Sequence, residues 1–364
     1  MRQTDDFEDK SGGMPIMYMA LGVSFFVLLI MGIVIAANKQ ERGNRAAFME
    51  STSEEKSHDD MEEESYAVTY GKITADDLDI WDMYPETEET EEEETKKKEE
   101  EETTESTEES MDDGKHVKIT YSDGSSEWVT INPYQEKNTY DFTNLVSNDG
   151  KLKYYSDGKK ISFLGVDVSR YQKDIDFATL KDSGVEYVMI RLGARGYKTG
   201  ALQLDEYFIN NIDKATEAGL DIGIYFYSQA MSAQEAVEEA NLVIDNLKER
   251  KITYPIAFDM EFVENDQARV ETLTRDERTA ITQAFLKRIE EAGYIPMIYG
   301  NKEWLIKRID LSKLTNYCVW LSEEADIPDY PYQYEMWQYT KQGTIDGIEG
   351  FADLNISFVD YSAR

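Results

Sequence analysis

The chain has 364 residues, 41% of them hydrophobic, with 74 acidic and 38 basic side chains and a net charge of -36. This charge argues against partners that are bound through positive surfaces, such as nucleic acid or an anionic membrane surface. The single cysteine, Cys318, permits no intramolecular disulfide, so the fold has to rest on its apolar core.

The two histidines narrow the possible chemistry. His58 and His116 both lie upstream of the apolar, periodic sequence that begins near Leu164. That part of the chain therefore has no imidazole for a nucleophile–base pair or a zinc site. We expect any catalysis there to depend on carboxylates, without a metal or another cofactor.

Residues 15–37 read PIMYMALGVSFFVLLIMGIVIAA and carry no charge. At 1.5 Å per residue this run reaches ~34 Å, enough to cross a bilayer. It predicts a single transmembrane helix after a cytoplasmic tail at residues 1–14. A cleaved signal peptide is the alternative, but the run is long and the leader is acidic. More positive residues follow the span than precede it, which conflicts with the extracellular carboxyl-terminal domain that we expect.

Residues 38–113 are predicted to form an acidic, largely disordered stalk. Their segment 86–110, ETEETEEEETKKKEEEETTESTEES, has no aromatic or aliphatic residue. Such a segment cannot bury enough apolar surface to offset the entropy of ordering, so it should stay extended. Fully extended, it would hold the rest of the protein roughly 80 Å farther from the membrane.

Residues 114–163 are typical of short strands and tight turns. Asp123-Gly124 and Asp157-Gly158 each separate two β-rich runs, and this dipeptide favours a hairpin. The region could be a minor wall-binding module. A small β-rich collar packed on the next domain is the interpretation that we prefer, because so few residues rarely fold alone.

From Leu164 onward a repeated unit of helix, glycine and strand predicts an α/β domain. Gly184, Gly219 and Gly293 each end a polar helical stretch and precede an apolar run, as expected where glycine takes a left-handed turn. Capping boxes at residues 232–235 and 274–277 mark the start of two helices.

Eight strands are predicted in this domain, and repeated right-handed crossovers should make their sheet parallel and close it as a barrel with an irregular last third. The predicted strands are Gly165–Ser169, Tyr187–Leu192, Asp221–Tyr227, Ile256–Glu261, Ile295–Gly300, Cys318–Leu321, Glu335–Tyr339 and Asp353–Ile356.

Acidic residues end several of these strands. In the stretch IAFDMEFVE, Phe258, Met260 and Phe262 can pack under helices while Asp259 and Glu261 face the barrel interior. Asp167 ends the first predicted strand, and Asp353 begins the last, which neighbours the first in a closed barrel. Uncompensated carboxylates would cost stability, so their convergence indicates a catalytic site.

Several motifs together make the chain resemble glycoside hydrolase family 25, the muramidases that cut peptidoglycan. They are LGVDVSRYQ, GIYFYSQA, PIAFDMEF, AGYIPMIYG and MWQYTKQGTIDGIEGFADLNISF, in this order between Leu164 and the carboxyl terminus. The resemblance implies an irregular (β/α)5(β)3 TIM-like barrel at residues 164–364 that hydrolyses the β-1,4 bond between N-acetylmuramic acid and N-acetylglucosamine.

The resemblance also implies site residues. The catalytic acids fall on Asp167, Asp259, Glu261 and Asp353, and the sugar cleft on Arg191, Tyr225, Tyr227, Trp337 and Gln338. One departure is VWLSEEAD at residues 319–326, where the family more often has an aromatic residue, and this puts individual sugar contacts in doubt.

Glycoside cleavage requires one protonated carboxylic acid and one carboxylate. We assign Glu261 as the general acid and Asp259 as the stabilising anion, with Asp167 or Asp353 holding a water or the sugar ring. The Cα atoms of residues two apart on a strand lie ~6.6 Å apart. Because the side chains can rotate, this spacing fits the carboxyl separations of both retaining and inverting enzymes. The 2-acetamido group of muramic acid favours neighbouring-group attack as a hypothesis.

The predicted cleft residues also have structural interpretations. Tyr227 and Trp337 could equally be core residues. An arginine that faces a barrel interior needs a carboxylate, and Asp167 or Asp259 is the expected partner of Arg191.

The sequence also permits other classes of function. A membrane-tethered wall-binding or scaffolding protein without turnover is the alternative. A metal-dependent deacetylase or amidase is disfavoured because the domain has no histidine. The expected partners are peptidoglycan glycan strands and, through one transmembrane helix, the cell membrane, whereas no nucleic acid is expected and protein partners are unknown.

Overall fold

The computed structural model describes residues 113–121, 123–263 and 266–363. The strands in this part of the chain are β1 His116–Thr120, β2 Ser126–Thr130, β3 Leu145–Asn148, β4 Lys151–Ser156, β5 Lys159–Lys160, β6 Phe163–Val168, β7 Tyr187–Arg195, β8 Leu202–Leu204, β9 Asp221–Ser228, β10 Ile256–Met260, β11 Pro296–Asn301, β12 Cys318–Ser322, β13 Met336–Gly343 and β14 Ala352–Ser357. The α-helices are α1 Phe177–Asp182, α2 Phe208–Ala218, α3 Ala233–Leu247 and α4 Arg275–Glu291, and a π-helical turn spans Trp304–Arg308.

Eight strands close into a barrel. The order around the ring is β6, β14, β13, β12, β11, β10, β9 and β7, and β7 pairs back with β6. The strands are parallel except β14, which runs antiparallel to both of its neighbours. β8 is a short extra strand that returns along the end of β7. The predicted closed barrel is therefore confirmed.

Side-chain alternation divides the core into an inner and an outer part. Ala257 and Asp259 of β10 face the barrel interior, where a cluster of Met and aromatic side chains lies. Phe258 and Met260 face outward into the larger core under the helices, and Phe258 packs against Phe285 of α4 at 4.7 Å between ring centroids. The expectation for Phe258, Asp259 and Met260 is confirmed, while the strand ends before Glu261.

The helix boundaries follow the sequence signals. Gly184, Gly219 and Gly293 all have positive φ, so each takes the left-handed turn expected of it. Thr274 and Glu277 form the complete capping box that begins α4. At α3 the box is incomplete: Ser232 accepts from the Glu235 amide, but the Glu235 carboxylate accepts from the Met231 amide instead.

The segment before the barrel folds into two small sheets, β1–β2 and β3–β4–β5, with Asp-Gly turns at both predicted hairpins. No α-helix separates β12, β13 and β14, and their outer face is covered by aromatic side chains from this segment. Tyr140 stacks on Phe358 at 4.0 Å, and Phe142 contacts Trp337 edge-on at 6.4 Å. The collar thus occupies the layer that helices form elsewhere around the barrel.

All eight barrel strands lie within a few residues of the predicted ranges. β8 and the π-helical turn were not predicted. The predicted transmembrane span at 15–37 and almost all of the stalk at 38–113 lie outside the described residues. Within the residues that are described, no helix has the length and apolar character needed to cross a membrane.

Candidate active site

Four acids gather at one end of the barrel. Asp167 and Asp259 lie at the penultimate positions of β6 and β10, and Glu261 immediately follows β10. Asp353 is the second residue of β14, and because β14 is antiparallel its beginning lies at the same end. This is the end formed by the carboxyl termini of the parallel strands, where the active sites of α/β barrels lie.

Asp167 and Asp353 form one half of the acid cluster. They are direct register partners across the β14–β6 ladder. The amide nitrogen of Gln338 donates to both, at 2.9 Å to Asp167 Oδ2 and 3.2 Å to Asp353 Oδ2. The amide nitrogen of Asn355 also donates to Asp167 Oδ2, at 2.7 Å. Two side-chain amides therefore hold these carboxyl groups in place.

The two amides are themselves fixed by buried hydrogen bonds. The Gln338 carbonyl oxygen accepts from the Tyr299 hydroxyl at 2.9 Å and from the Ser322 hydroxyl at 2.7 Å. Trp320 Nε1 donates to the Asn355 carbonyl oxygen at 2.8 Å. Since Gln338 already makes four hydrogen bonds and is almost fully buried, it orients the acids rather than lining an open sugar cleft as predicted.

Burial makes the proton affinity of this half of the cluster high. It raises the pKa of Asp167, although hydrogen bonds from Asn355, Gln338 and Asp353 work against the rise. The pKa of Asp353 is raised well above its usual range by burial first and by the charge of Asp167 second. A proton shared between Asp167 and Asp353 accounts for their close pairing.

Asp259 and Glu261 form the other half of the cluster. Asp259 is buried, and its Oδ1 accepts no hydrogen bond from the described residues. Burial, followed by the charge of Glu261, raises the pKa of Asp259 well above its usual range. Glu261 is only half-buried, at the mouth of the barrel. The negative charge of Glu261 therefore favours the protonated form of Asp259.

Arg191 reaches the interior of the barrel, but its predicted ion-pair partner was wrong. Its Nε donates to Asp205 Oδ2 at 2.9 Å in a fully buried pair. Asp205 follows β8, and the β7–β8 hairpin brings it back beside Arg191. The guanidinium group also lies 5.1 Å from the Tyr171 ring centroid, and its charge opposes the rise that burial causes in the pKa of Asp259.

The predicted cleft aromatics occupy different places. Tyr225 packs on the inner cluster beside Trp320, and burial raises the pKa of its hydroxyl well above 10, so it stays a neutral hydrogen-bond donor. Tyr227 is the register partner of Asp259 and is almost fully buried. Tyr225 and Tyr227 therefore lie beside the acids.

Trp337 does not line the cleft. It is fully buried on the outer face of β13, and its Nε1 donates to the Glu323 carbonyl at 2.8 Å. Strand alternation explains this correction: because Gln338 points inward, its neighbour Trp337 points outward to the collar.

Three residues of the site were not predicted. Asn355 shares the inward face with Asp353, two positions earlier, so alternation could have indicated it. The position of Asp205 beside Arg191 depends on the β7–β8 hairpin, which the sequence did not predict. Lys341 is the third: burial raises the pKa of Asp167, Asp259 and Asp353, and the positive charge of Lys341 opposes that rise.

A metal site and a second cleft are the other features that bear on the location of the active site. Among the described residues, no group of three or more His, Cys, Asp or Glu side chains is arranged to hold a metal ion. A cleft of about 620 Å³ lies at the opposite end of the barrel, between the collar and the first residues of β6, β7 and β9. It contains none of the predicted site residues.

A closed barrel that gathers carboxyl groups at the carboxyl ends of its strands has the features of a glycoside hydrolase. The sequence model of glycosyl hydrolases family 25 matches residues 166–348, which is half of the chain, and the chain belongs to this family.

Individual relatives are distant. An autolytic lysozyme from Clostridium acetobutylicum is 24% identical over 192 residues, which are 52% of this chain and 54% of that protein. The uncharacterized protein YegX from Escherichia coli O157:H7 is 27% identical over 198 residues, 53% of this chain and 68% of that protein. A solved family 25 glycosyl hydrolase from Bacillus anthracis is 22% identical, with a TM-score of 0.47, and the match covers 59% of this chain and 95% of that one. The chain spans about half the length of the lysozyme that it matches.

Proposed function

We propose that this chain is a muramidase that hydrolyses the β-1,4 bond between N-acetylmuramic acid and N-acetylglucosamine in peptidoglycan. The observation that carries the proposal is the pairing of a buried Asp259 with a half-buried Glu261 at the barrel mouth. Membership of family 25 and the match to an autolytic lysozyme support the same substrate. We also assign the barrel to the irregular (β/α)5(β)3 TIM-like type.

Glu261 is the proposed general acid. It is the more exposed member of the pair, so a glycosidic oxygen can approach it without displacing the core. As its proton passes to that oxygen, the bond from the oxygen to the anomeric carbon breaks and positive charge develops on the sugar. Asp259, buried below it, would stabilise this charge once the substrate draws the shared proton onto Glu261.

The 2-acetamido group of the substrate is the proposed nucleophile. Its carbonyl oxygen would attack the anomeric carbon and form a cyclic oxazolinium ion, with Asp259 accepting a hydrogen bond from the acetamido N–H. Glu261, now ionised, would take a proton from water as the water opens the ring. This route retains the anomeric configuration. NMR of the first-formed product tests it, because an inverted anomer would eliminate neighbouring-group attack.

The other residues have supporting roles in this proposal. Tyr225 and Tyr227 are proposed to contact the sugar from β9, beside Asp259. Asp353 and Asp167 would hold a water or a sugar hydroxyl. Arg191, already paired with Asp205, would act through its charge on Asp259 rather than as a direct sugar ligand.

Digestion of purified cell walls tests the function itself. The full chain should release new reducing ends, and the products should carry muramic acid at the reducing end. A wall-binding or scaffolding protein would sediment with the walls and release none. Insensitivity to a metal chelator would further exclude a metal-dependent deacetylase, which would free acetate instead of reducing ends.

Residues 15–37 are proposed to anchor the enzyme in the cell membrane, with the acidic stalk and the barrel outside the cell. Their uncharged length supports the anchor, whereas the flanking positive charges favour the opposite orientation. Protease treatment of intact cells separates the two cases. Release of the barrel into the medium supports the proposed topology, and protection of the barrel until lysis would reverse it.

A further inference from the structure

The pairing of β13 with β14 is irregular next to the acid cluster. Gln338 pairs with Asn355, Thr340 with Leu354 and Gly343 with Ala352. From the first of these pairs to the last, β13 advances five residues while β14 advances three. β13 therefore carries two extra residues over this stretch, which is the definition of β-bulges.

The bulges interrupt the side-chain alternation of β13 at Lys341. Gln338 faces the interior, and Tyr339 faces outward, where its hydroxyl donates to the Gly150 carbonyl in the collar at 3.0 Å. Regular alternation would send Lys341 outward with Tyr339. Bulges re-aim side chains and are frequent beside active sites. The second irregularity places Lys341 and Gln342 opposite the single residue Asp353.

Lys341 lies within electrostatic reach of all four acids of the cluster. Asp353 lies on the neighbouring strand β14, and Asp167 lies on the next strand, β6. Asp259 and Glu261 lie at the end of β10. Burial alone would lower the pKa of Lys341, but the charges of four acids raise it: Glu261, Asp353, Asp167 and Asp259. Beyond these groups, the charge of Glu324 acts on Asp353, and that of Arg191 acts on Asp259.

We propose that Lys341 is a positioning residue of the active site, whose ammonium group supplies the counter-charge that lets Asp259 stay ionised while Glu261 holds the transferable proton. The proposal rests on the proposed glycosidase function. Without Lys341, the positive charge of Arg191 would still act on Asp259, but the four carboxyl groups would lose the positive charge that acts on Asp167, Asp259 and Asp353 together. The buried aspartates would then bind protons more tightly, and fewer enzyme molecules would be in the active charge state.

The test compares three variants of the full chain in detergent: Lys341→Met, Lys341→Arg and, as the control, Lys159→Met. Lys159 is exposed on β5, away from the cluster. The readout is kcat/KM on soluble glycan strands as a function of pH. Loss of a nearby positive charge raises the pKa of Asp259, so the acidic limb of the profile should move to higher pH by about one unit in Lys341→Met. Lys341→Arg keeps the positive charge, so its acidic limb should return most of the way to that of the parent. The control should match the parent.

A second readout does not depend on activity. The melting temperature of Lys341→Met should fall more steeply than that of the parent between pH ~4 and ~8, because its acids have higher folded-state pKa values. Should Lys341→Met fail to fold at neutral pH, recovery of the fold at pH ~4 would support the proposal on the same physical ground.

The outcomes are distinguishable. A parent chain that cleaves no glycan refutes the proposed function, while the melting profiles still decide the charge role of Lys341. An acidic limb and a melting profile in Lys341→Met that match the parent would overturn the inference. So would a Lys341→Arg variant as impaired as Lys341→Met, because that result would show a requirement for shape and not for charge.

Discussion

Asp353 and Asp167 face each other as direct register partners on two adjacent antiparallel strands. Like charges placed directly opposite each other destabilise a sheet. Here burial and the charge of Asp167 raise the pKa of Asp353, and Gln338 donates to both carboxyl groups. The pair is therefore tolerated through a shared proton and a shared amide, which gives the folded state a definite pH dependence.

Asp353→Asn should stabilise the fold at alkaline pH. A carboxyl whose folded-state pKa is raised contributes stability that is present below its unfolded pKa of about 4 and is lost as the pH rises through the folded value. Asparagine cannot ionise, so this loss disappears. The variant should match the parent near pH ~4 and melt higher near pH ~8, by about 2–4 °C for each kcal/mol relieved.

Thermal melts at the two pH values check this prediction, with Asp346→Asn as the control, since Asp346 is exposed just before β14. A gain of the same size at both pH values would contradict it. Wall digestion by Asp353→Asn should fall, because the carboxylate proposed to hold water or a sugar hydroxyl is lost.

Glu261→Gln should abolish most of the activity while leaving wall binding intact. The amide keeps the shape of the side chain but has no proton to transfer to the glycosidic oxygen. General acid catalysis contributes about 10²–10⁴-fold, so the rate of release of reducing ends should fall by that factor. Glu217→Gln, on the exposed face of α2, is the matched control. Activity within a few-fold of the parent would remove Glu261 from the mechanism.

Gln338→Leu should destabilise the fold and weaken the acid cluster. It removes the donors to Asp167 and Asp353 and the acceptor for Tyr299 and Ser322. Each buried group left without its partner costs about 1–3 kcal/mol. Gln342→Leu, at an exposed site on the same strand, should change stability by no more than about 0.5 kcal/mol. Denaturant unfolding of the two variants measures the difference, and equal midpoints would contradict the role given to Gln338.

Arg191→Met tests whether this arginine is structural. It leaves the fully buried carboxylate of Asp205 without its cation, which costs about 3–5 kcal/mol. Arg250→Met breaks the more exposed pair with Asp213 and should cost about 0–1 kcal/mol. Urea unfolding compares the two. A stable Arg191→Met protein with only a raised KM would instead restore the sugar-binding role predicted from the sequence.

The strands of the barrel were predictable because each is an apolar run that ends a helix–glycine unit. Gly184, Gly219 and Gly293 indicate the breaks, and alternation within IAFDMEFVE indicates which face meets the helices. The convergence of Asp167 with Asp353 also follows from closure of the barrel, since the first and last strands must then be neighbours.

The remainder of the site depends on features that leave little trace in one sequence. Asp205 meets Arg191 because a three-residue strand turns back along β7. Lys341 lies where bulges in β13 interrupt the alternation that otherwise predicts side-chain direction, so its electrostatic interaction with the acids was not expected. The prediction that Trp337 lines the cleft was wrong for a simpler reason. Its neighbour Gln338 takes the inward position, so the indole points outward.

The collar determines where the molecule can be shortened. The family match begins at residue 166, yet the outer wall of the last three strands is completed by Tyr140, Phe142 and Tyr154 from the preceding segment. A recombinant fragment trimmed to the family boundary would expose Trp337 and Phe358 to water and should be prone to aggregation. Soluble preparations of the barrel should therefore retain the segment that carries Tyr140, Phe142 and Tyr154.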